Sequence, residues 1–156
     1  MIYKKRPQSI TRLSGTIRVI EEQETIRIQL QTRKIRKGNP VALSDQTIIA
    51  AGTYFGQAEF DIASASDIKP YDCTPIRKLK TEEVCMIGDL RTANGQSRIE
   101  GHEIYVEPQD EDQFNQLIAA AGKFTVLEGH LANFTFENGD EECGLLVLAI
   151  NPLPLK

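Results

Sequence analysis

Four times along this chain of 156 residues, a run of alternating apolar and polar residues meets a turn and is followed by a second run. That pattern constrains the fold more than any other feature. Period-two alternation puts one face of each strand in a core and the other in water. Ile26, Ile28 and Leu30 alternate with Arg27, Gln29 and Gln31; before them, Ile17 and Val19 alternate with Thr16 and Arg18. Residues 21–24 connect the two runs. The hairpin they form presents Arg18, Arg27, Gln29, Gln31 and Arg33 on its wet face. Residues 47–55 and 57–62 make a second hairpin around Gly56. Residues 83–92 and 96–106 make a third around Asn94-Gly95, both of which tolerate the positive φ of a two-residue turn. Residues 123–136 and 143–150 make the fourth, around Asn138-Gly139-Asp140. Its last strand, Leu145-Leu146-Val147-Leu148-Ala149-Ile150, is apolar without alternation, which suits a strand covered on both faces. Pro152 and Pro154 stop it. Residues 41–43 suit a further short strand, and residues 64–80, punctuated by Pro70 and Pro75, read as a long connection.

The period changes once. Phe114, Leu117, Ile118 and Ala121 fall at helical spacing, so a helix is expected near residues 109–121. Pro108 and the acidic Asp110, Glu111 and Asp112 suit its N-terminus, and Gly122 suits its end. The whole reads as a mostly β chain: an antiparallel β-barrel or sandwich of about seven to nine strands with one α-helix. The element order is similar to that of an OB-fold, in which three strands precede the helix and two follow, with extra strands inserted here. The likeness rests on order alone and names no family.

Length and composition fit one domain spanning residues 1–156. With 40% hydrophobic and 26% charged residues, the composition is that of an ordinary globular protein. No apolar run approaches the ~20 residues of a membrane span. Residues 1–7 have the charge of a secretory leader without its apolar stretch. Cys73, Cys85 and Cys143 are an odd number and lack metal-site spacing, so they read as free thiols of a reducing, cytoplasmic setting.

The net charge of −4 hides a strong segregation. Residues 1–37 hold ten Lys and Arg against three Asp and Glu, whereas residues 81–156 hold four against fourteen. This asymmetry is the chief functional signal. Arg18, Arg27, Arg33, Lys34, Arg36 and Lys37, joined by Lys4, Lys5 and Arg6, form a basic footprint of the kind that phosphate backbones attract. The first hairpin and the loop after it carry no interleaved aromatic residues, so backbone contact rather than base stacking is expected there. The competing readings are a basic sheet edge that discourages aggregation, or two charge halves that interleave and neutralise each other.

The only two histidines, His102 and His130, each follow Glu-Gly. Three segments align: Arg12-Leu13-Ser14-Gly15-Thr16-Ile17, Arg98-Ile99-Glu100-Gly101-His102-Glu103 and Val126-Leu127-Glu128-Gly129-His130-Leu131. Their shared feature is a glycine inside a strand, where it permits a bulge or a tight bend. If the two strands lay close, Glu100, His102, Glu128 and His130 would also form an acceptable metal or acid/base set. No nucleophile elbow, phosphate-cradling glycine loop, close Cys/His pair or calcium-loop spacing occurs. The expectation is a binding module without cofactor or metal, leaning away from an enzyme. It would be a nucleic-acid-associated subunit of a larger assembly that contacts phosphates through its basic half. The alternatives are a protein–protein or self-assembly module, and a metal-dependent enzyme at the Glu-Gly-His pair. No membrane partner is expected.

Overall fold

A computed structural model describes residues 9–41 and 45–151. The basic residues Lys4, Lys5 and Arg6, most of the short strand expected at 41–43, and Pro152 and Pro154 lie outside the described residues. In chain order the strands are β1 (Thr11–Ile20), β2 (Thr25–Gln29), β3 (Arg33–Ile35), β4 (Thr47–Phe55), β5 (Glu59–Ile62), β6 (Ile68–Pro70), β7 (Val84–Ala93), β8 (Gln96–Gly101), β9 (Glu103–Glu107), β10 (Phe124–Thr135) and β11 (Glu141–Ile150). One α-helix, α1 (Glu111–Ala119), lies between β9 and β10. None of the described helices is long and apolar enough to cross a membrane.

The strands close into two rings. In the first, β1 pairs with β2, β2 with β9, β9 with β11, β11 with β10, and β10 with β1. Every pairing is antiparallel except β9–β11. Its chain order is three strands, a helix and two strands, with the remaining strands inserted between β2 and β9. In the second ring, β7 pairs with β8, β8 with β3, β3 with β5, β5 with β4, and β4 with β7; again one pairing, β3–β5, is parallel. The short β6 adds to the side of β4. The two rings therefore share one pairing scheme. The second runs it from a shifted starting point, because the chain enters at β3 and leaves from β8.

Two of the expected hairpin strands are each divided between the rings. The strand expected to run from Thr25 past Arg33 stops at Gln29 and resumes as β3 in the other ring. The strand expected over residues 96–106 breaks at His102. The chain thus crosses out at Leu30 and returns at Gly101–His102, and the two crossings touch. The Leu30 N–H donates to the His102 carbonyl at 3.1 Å, and the Gln29 side-chain amide donates to the carbonyls of Gly101 (3.1 Å) and Leu30 (3.0 Å). A Cβ on residue 101 would lie 2.1 Å from the Leu30 carbonyl oxygen, which only glycine avoids. The other two aligned glycines meet the same constraint. A Cβ at Gly15 would lie 2.3 Å from the Gln29 oxygen, and one at Gly129 2.0 Å from the Leu146 oxygen. Gly129 also sits at a register shift in β10.

The buried side chains form a contiguous core through both rings, from Leu13, Ile17, Ile28 and Val147 to Ile49, Phe60, Met86 and Ile99. In β11, Leu145 and Val147 enter this core. Leu146 turns outward against Tyr105 and Phe134, so the apolar run is covered on both faces only at Leu145–Val147; Leu148 beyond them is exposed, which corrects the expectation for the rest of the run. Helix α1 begins where Asp110 accepts the Gln113 N–H at 2.8 Å. It commits less of its face than the spacing suggests. Leu117 is buried, whereas Phe114 and Ile118 are exposed, because the short helix leans on the barrel with little more than one turn.

Beyond the crossings, three side-chain ties among the described residues join the first ring to the connection before β7. Arg12 on β1 donates to the carbonyls of Glu83 (2.5 Å) and Lys80 (3.2 Å) while pairing with Glu128 at 2.6 Å. The Tyr71 hydroxyl donates to the Cys143 carbonyl at 3.1 Å. Cys73 and Cys143 form a disulfide with Cα atoms 5.5 Å apart. This corrects the expectation of three free thiols: a bond between residues 70 apart in sequence leaves no local spacing to read. Cys85 alone is free, and burial pushes its thiol up to about 12. In the connection before β7, Arg77 bridges the buried carboxylates of Asp67 (2.8 Å) and Glu83 (2.7 Å). That pairing, helped by the Lys80 N–H, holds the Glu83 carboxyl at about 2 instead of 4.5.

Two outcomes follow. Thiol titration in denaturant should find one thiol before reduction and three after. Reduction should lower stability in a urea melt by about 2–4 kcal/mol, and three thiols before reduction would mean that the pair does not form. The Glu83 contribution is fully present above about pH 4.5 and is lost as pH falls toward 2. Glu83→Gln should therefore cost about 3 kcal/mol at neutral pH. It should also flatten the fall of the urea midpoint between pH 4.5 and 2 that the parent protein shows.

Candidate functional site

Strand β3 alternates, and the alternation sorts the basic residues by job. Arg33 and Ile35 point inward; Lys34 points out. Arg33 is only 6% exposed. Its guanidinium lies 4.2 Å from the centre of the Tyr54 ring and donates to the Gln57 carbonyl at 2.6 Å, so it pins the β4–β5 turn from beneath. Arg36, just past the strand, lies 3.7 Å over the ring of Phe55 and 3.4 Å from Asp61. Asn39 donates to the same Asp61 at 2.9 Å and accepts the Ile62 N–H at 2.6 Å, which fixes the path of the basic segment. Lys37 is exposed.

Lys34, Arg36, Lys37 and Asn39 line one wall of an open groove of about 390 Å³. The other wall is the β7–β8 turn and the start of β8, with Asn94, Gly95, Gln96 and Ser97; Glu59 supplies a carboxylate among the lining residues. Sheet register extends the charge beyond the groove. Lys34 lies opposite Arg98 on β8, and Arg98 lies opposite Arg91 on β7, so three cations form a row across one face. Glu100 offsets part of it, accepting from Arg91 and Arg98 at 3.0 Å each.

Of the six residues read from the sequence as a basic footprint, the structure brings Lys34, Arg36 and Lys37 together at the groove. Arg33 lies beneath it. Arg18 and Arg27 are on the first ring, each held by a carboxylate: Arg18 by Glu103, and Arg27 by Glu142 at 2.5 Å. The hydrogen bond to Glu142 raises the Arg27 pKa. The corresponding turns of the first ring are acidic, with Glu21, Glu22 and Glu24 between β1 and β2, and Glu137 and Asp140 between β10 and β11.

Sequence reading missed Phe55, Arg91, Arg98, Asn94 and Gln96 at this site. The structure also corrects the expected absence of aromatic residues beside the basic segment. Phe55 is 48% exposed and stacked on Arg36. No local signal could supply it, because it reaches Arg36 only through the β3–β5 and β4–β5 pairings.

The two Glu-Gly-His segments play separate parts. At the crossing, His102 Nε2 lies 2.9 Å from Asp89, which also accepts the Thr47 hydroxyl at 2.7 Å. Thr47 first, and His102 after it, holds the Asp89 carboxyl below its usual range. His130 sits in β10 opposite Leu146. Among the described residues, no three His, Cys, Asp or Glu side chains are placed to hold a metal ion. No family model, curated protein or solved structure matches the chain.

The two kinds of basic residue should separate in thermal melts. Arg33→Ala should cost roughly 2 kcal/mol, because it strips the Tyr54 face and the Gln57 carbonyl of their partner. Lys34→Ala and Lys37→Ala should stay within about 0.5 kcal/mol of the parent.

Proposed function

We propose that the chain is a nucleic-acid-associated binding module that contacts the phosphate backbone through the groove of its second ring. One observation carries the reading. We read the pairing order of both rings as OB-like, and barrels of that order hold oligonucleotides on the face of their second and third strands and the adjoining loops. In the second ring those strands are β8 and β3, and the loops are the β7–β8 and β4–β5 turns. The groove with Lys34, Arg36 and Lys37 lies against β3, β8 and the β7–β8 turn, and Phe55 marks the start of the β4–β5 turn. Exposed lysines on a firmly built wall suit phosphates, whose counterions they release.

The equivalent turns of the first ring carry Glu21, Glu22, Glu24, Glu137 and Asp140, which repel a polyanion. They suit a protein partner or a second copy, as in a subunit of a larger assembly. That division of labour favours 1–156 as one working unit, supported by the contiguous core. The compartment expected from the sequence is cytoplasmic. The Cys73–Cys143 bond weighs against it, since such bonds persist in oxidising compartments.

Fluorescence anisotropy with labelled single- and double-stranded oligonucleotides at two salt concentrations tests the reading. Binding in the micromolar range or tighter, weakening with salt, is expected. Lys34→Ala with Lys37→Ala should make the slope of log K against log salt shallower by about 1 to 2. No binding by the parent protein at low salt would overturn the reading and leave a protein partner as the function.

A further inference from the structure

We infer that the groove takes single-stranded nucleic acid, and that Phe55, backed by Arg36, is a stacking platform for an unpaired base. This rests on the phosphate-binding reading above and adds the class of ligand and the residue that selects it.

Phe55 ends β4 with nearly half of its surface exposed. It is held there from two directions. Arg33 anchors the turn just beyond it through the Gln57 carbonyl, and the Arg36 guanidinium covers the ring at 3.7 Å. Arg36 is itself kept in place by Asp61 at 3.4 Å. A large apolar ring in water normally costs stability, yet here two arginines hold it in place, and one of them, Arg36, also lines the groove. A cation on one face of a ring leaves the other available for a flat partner. A nucleic-acid base is such a partner, and only an unpaired base can offer its face, since duplex bases already stack on one another. Lys34 and Lys37 lie two positions before and one position after Arg36 on the same segment, where they can follow the phosphates of a strand whose base sits on Phe55. Asn94 and Gln96 on the opposite wall carry amide groups suited to base edges. The same chemistry serves single-stranded DNA and RNA, so both belong in the test.

The chain has no tryptophan, so Phe55→Trp would place a single reporter on the platform. Four labelled probes are compared on the full chain: a dodecamer of thymidylate, one of uridylate, a twelve-base-pair duplex, and a dodecamer of abasic sugar–phosphate. The inference expects one or both single strands to bind more tightly than the duplex and the abasic chain. Phe55→Ala should weaken single-strand binding about five- to a hundred-fold without changing the salt slope or abasic binding. Phe55→Tyr should restore it, and Phe55→Trp emission should be quenched by the single strands and not by the abasic chain. Abasic or duplex binding equal to that of the single strands, or Phe55→Ala binding equal to the parent's, would overturn this inference and leave the phosphate reading standing. If no probe binds the parent protein at low salt, the phosphate reading falls and this inference falls with it.

Discussion

The architecture depends on a close passage of backbone. At Leu30 and at Gly101–His102 the chain moves between two closed rings, and the outgoing and returning segments lie within hydrogen-bond distance of each other. A side chain on residue 101 would overlap the Leu30 carbonyl. Each ring needs its strands to bend toward closure, and each crossing needs two backbones nearer than a Cβ allows. Glycine meets both needs. Gly15 and Gly129 solve the same problem elsewhere in the first ring, which is why three unrelated segments look alike in sequence. The recurrence of Glu-Gly-His reflects the glycine. Its two histidines end up with different neighbours, His102 beside Asp89 and His130 opposite Leu146.

The second organising fact is where charge is neutralised. The basic N-terminal segment and the acidic C-terminal segment do interleave within the first ring: Arg12 meets Glu128, Arg18 meets Glu103 and Arg27 meets Glu142. Those arginines are structural partners. The segment after β3 escapes this pairing because it belongs to the other ring, where Asp61 and Glu59 are the carboxylates beside it among the described residues. Segregation along the sequence thus becomes a difference between the rings: a cationic segment after β3 in one, acidic turns between β1 and β2 and between β10 and β11 in the other.

Much of this was legible in the residues. The turns at Gly56, Asn94-Gly95 and Asn138-Gly139 fall where the alternation placed them, and α1 lies inside its expected span with Asp110 as its cap. These features are local, set by φ, by period and by capping. What could not be read is long-range. Nothing in Ile28-Gln29-Leu30-Gln31 says that alternation continues in phase while the strand changes barrel. Phe55 and Arg36 meet only once β3, β4 and β5 have paired, and Cys73 and Cys143 only once the connection before β7 has packed on β11. The helix shows the reverse error. Its spacing promised a broad buried face, but a helix at the end of a barrel needs only Leu117 to close the gap.

The nesting of one ring inside a connection of the other also bears on how the chain finds its shape. Closing the outer ring requires β2 to meet β9 across all of residues 30–102, an entropically costly loop for an unstructured chain. The inner ring draws its five strands entirely from within that loop. Once it has formed, its own entry and exit strands, β3 and β8, lie side by side, and the ends of the long loop are already neighbours. For the outer ring, the inserted barrel then behaves as a tight turn.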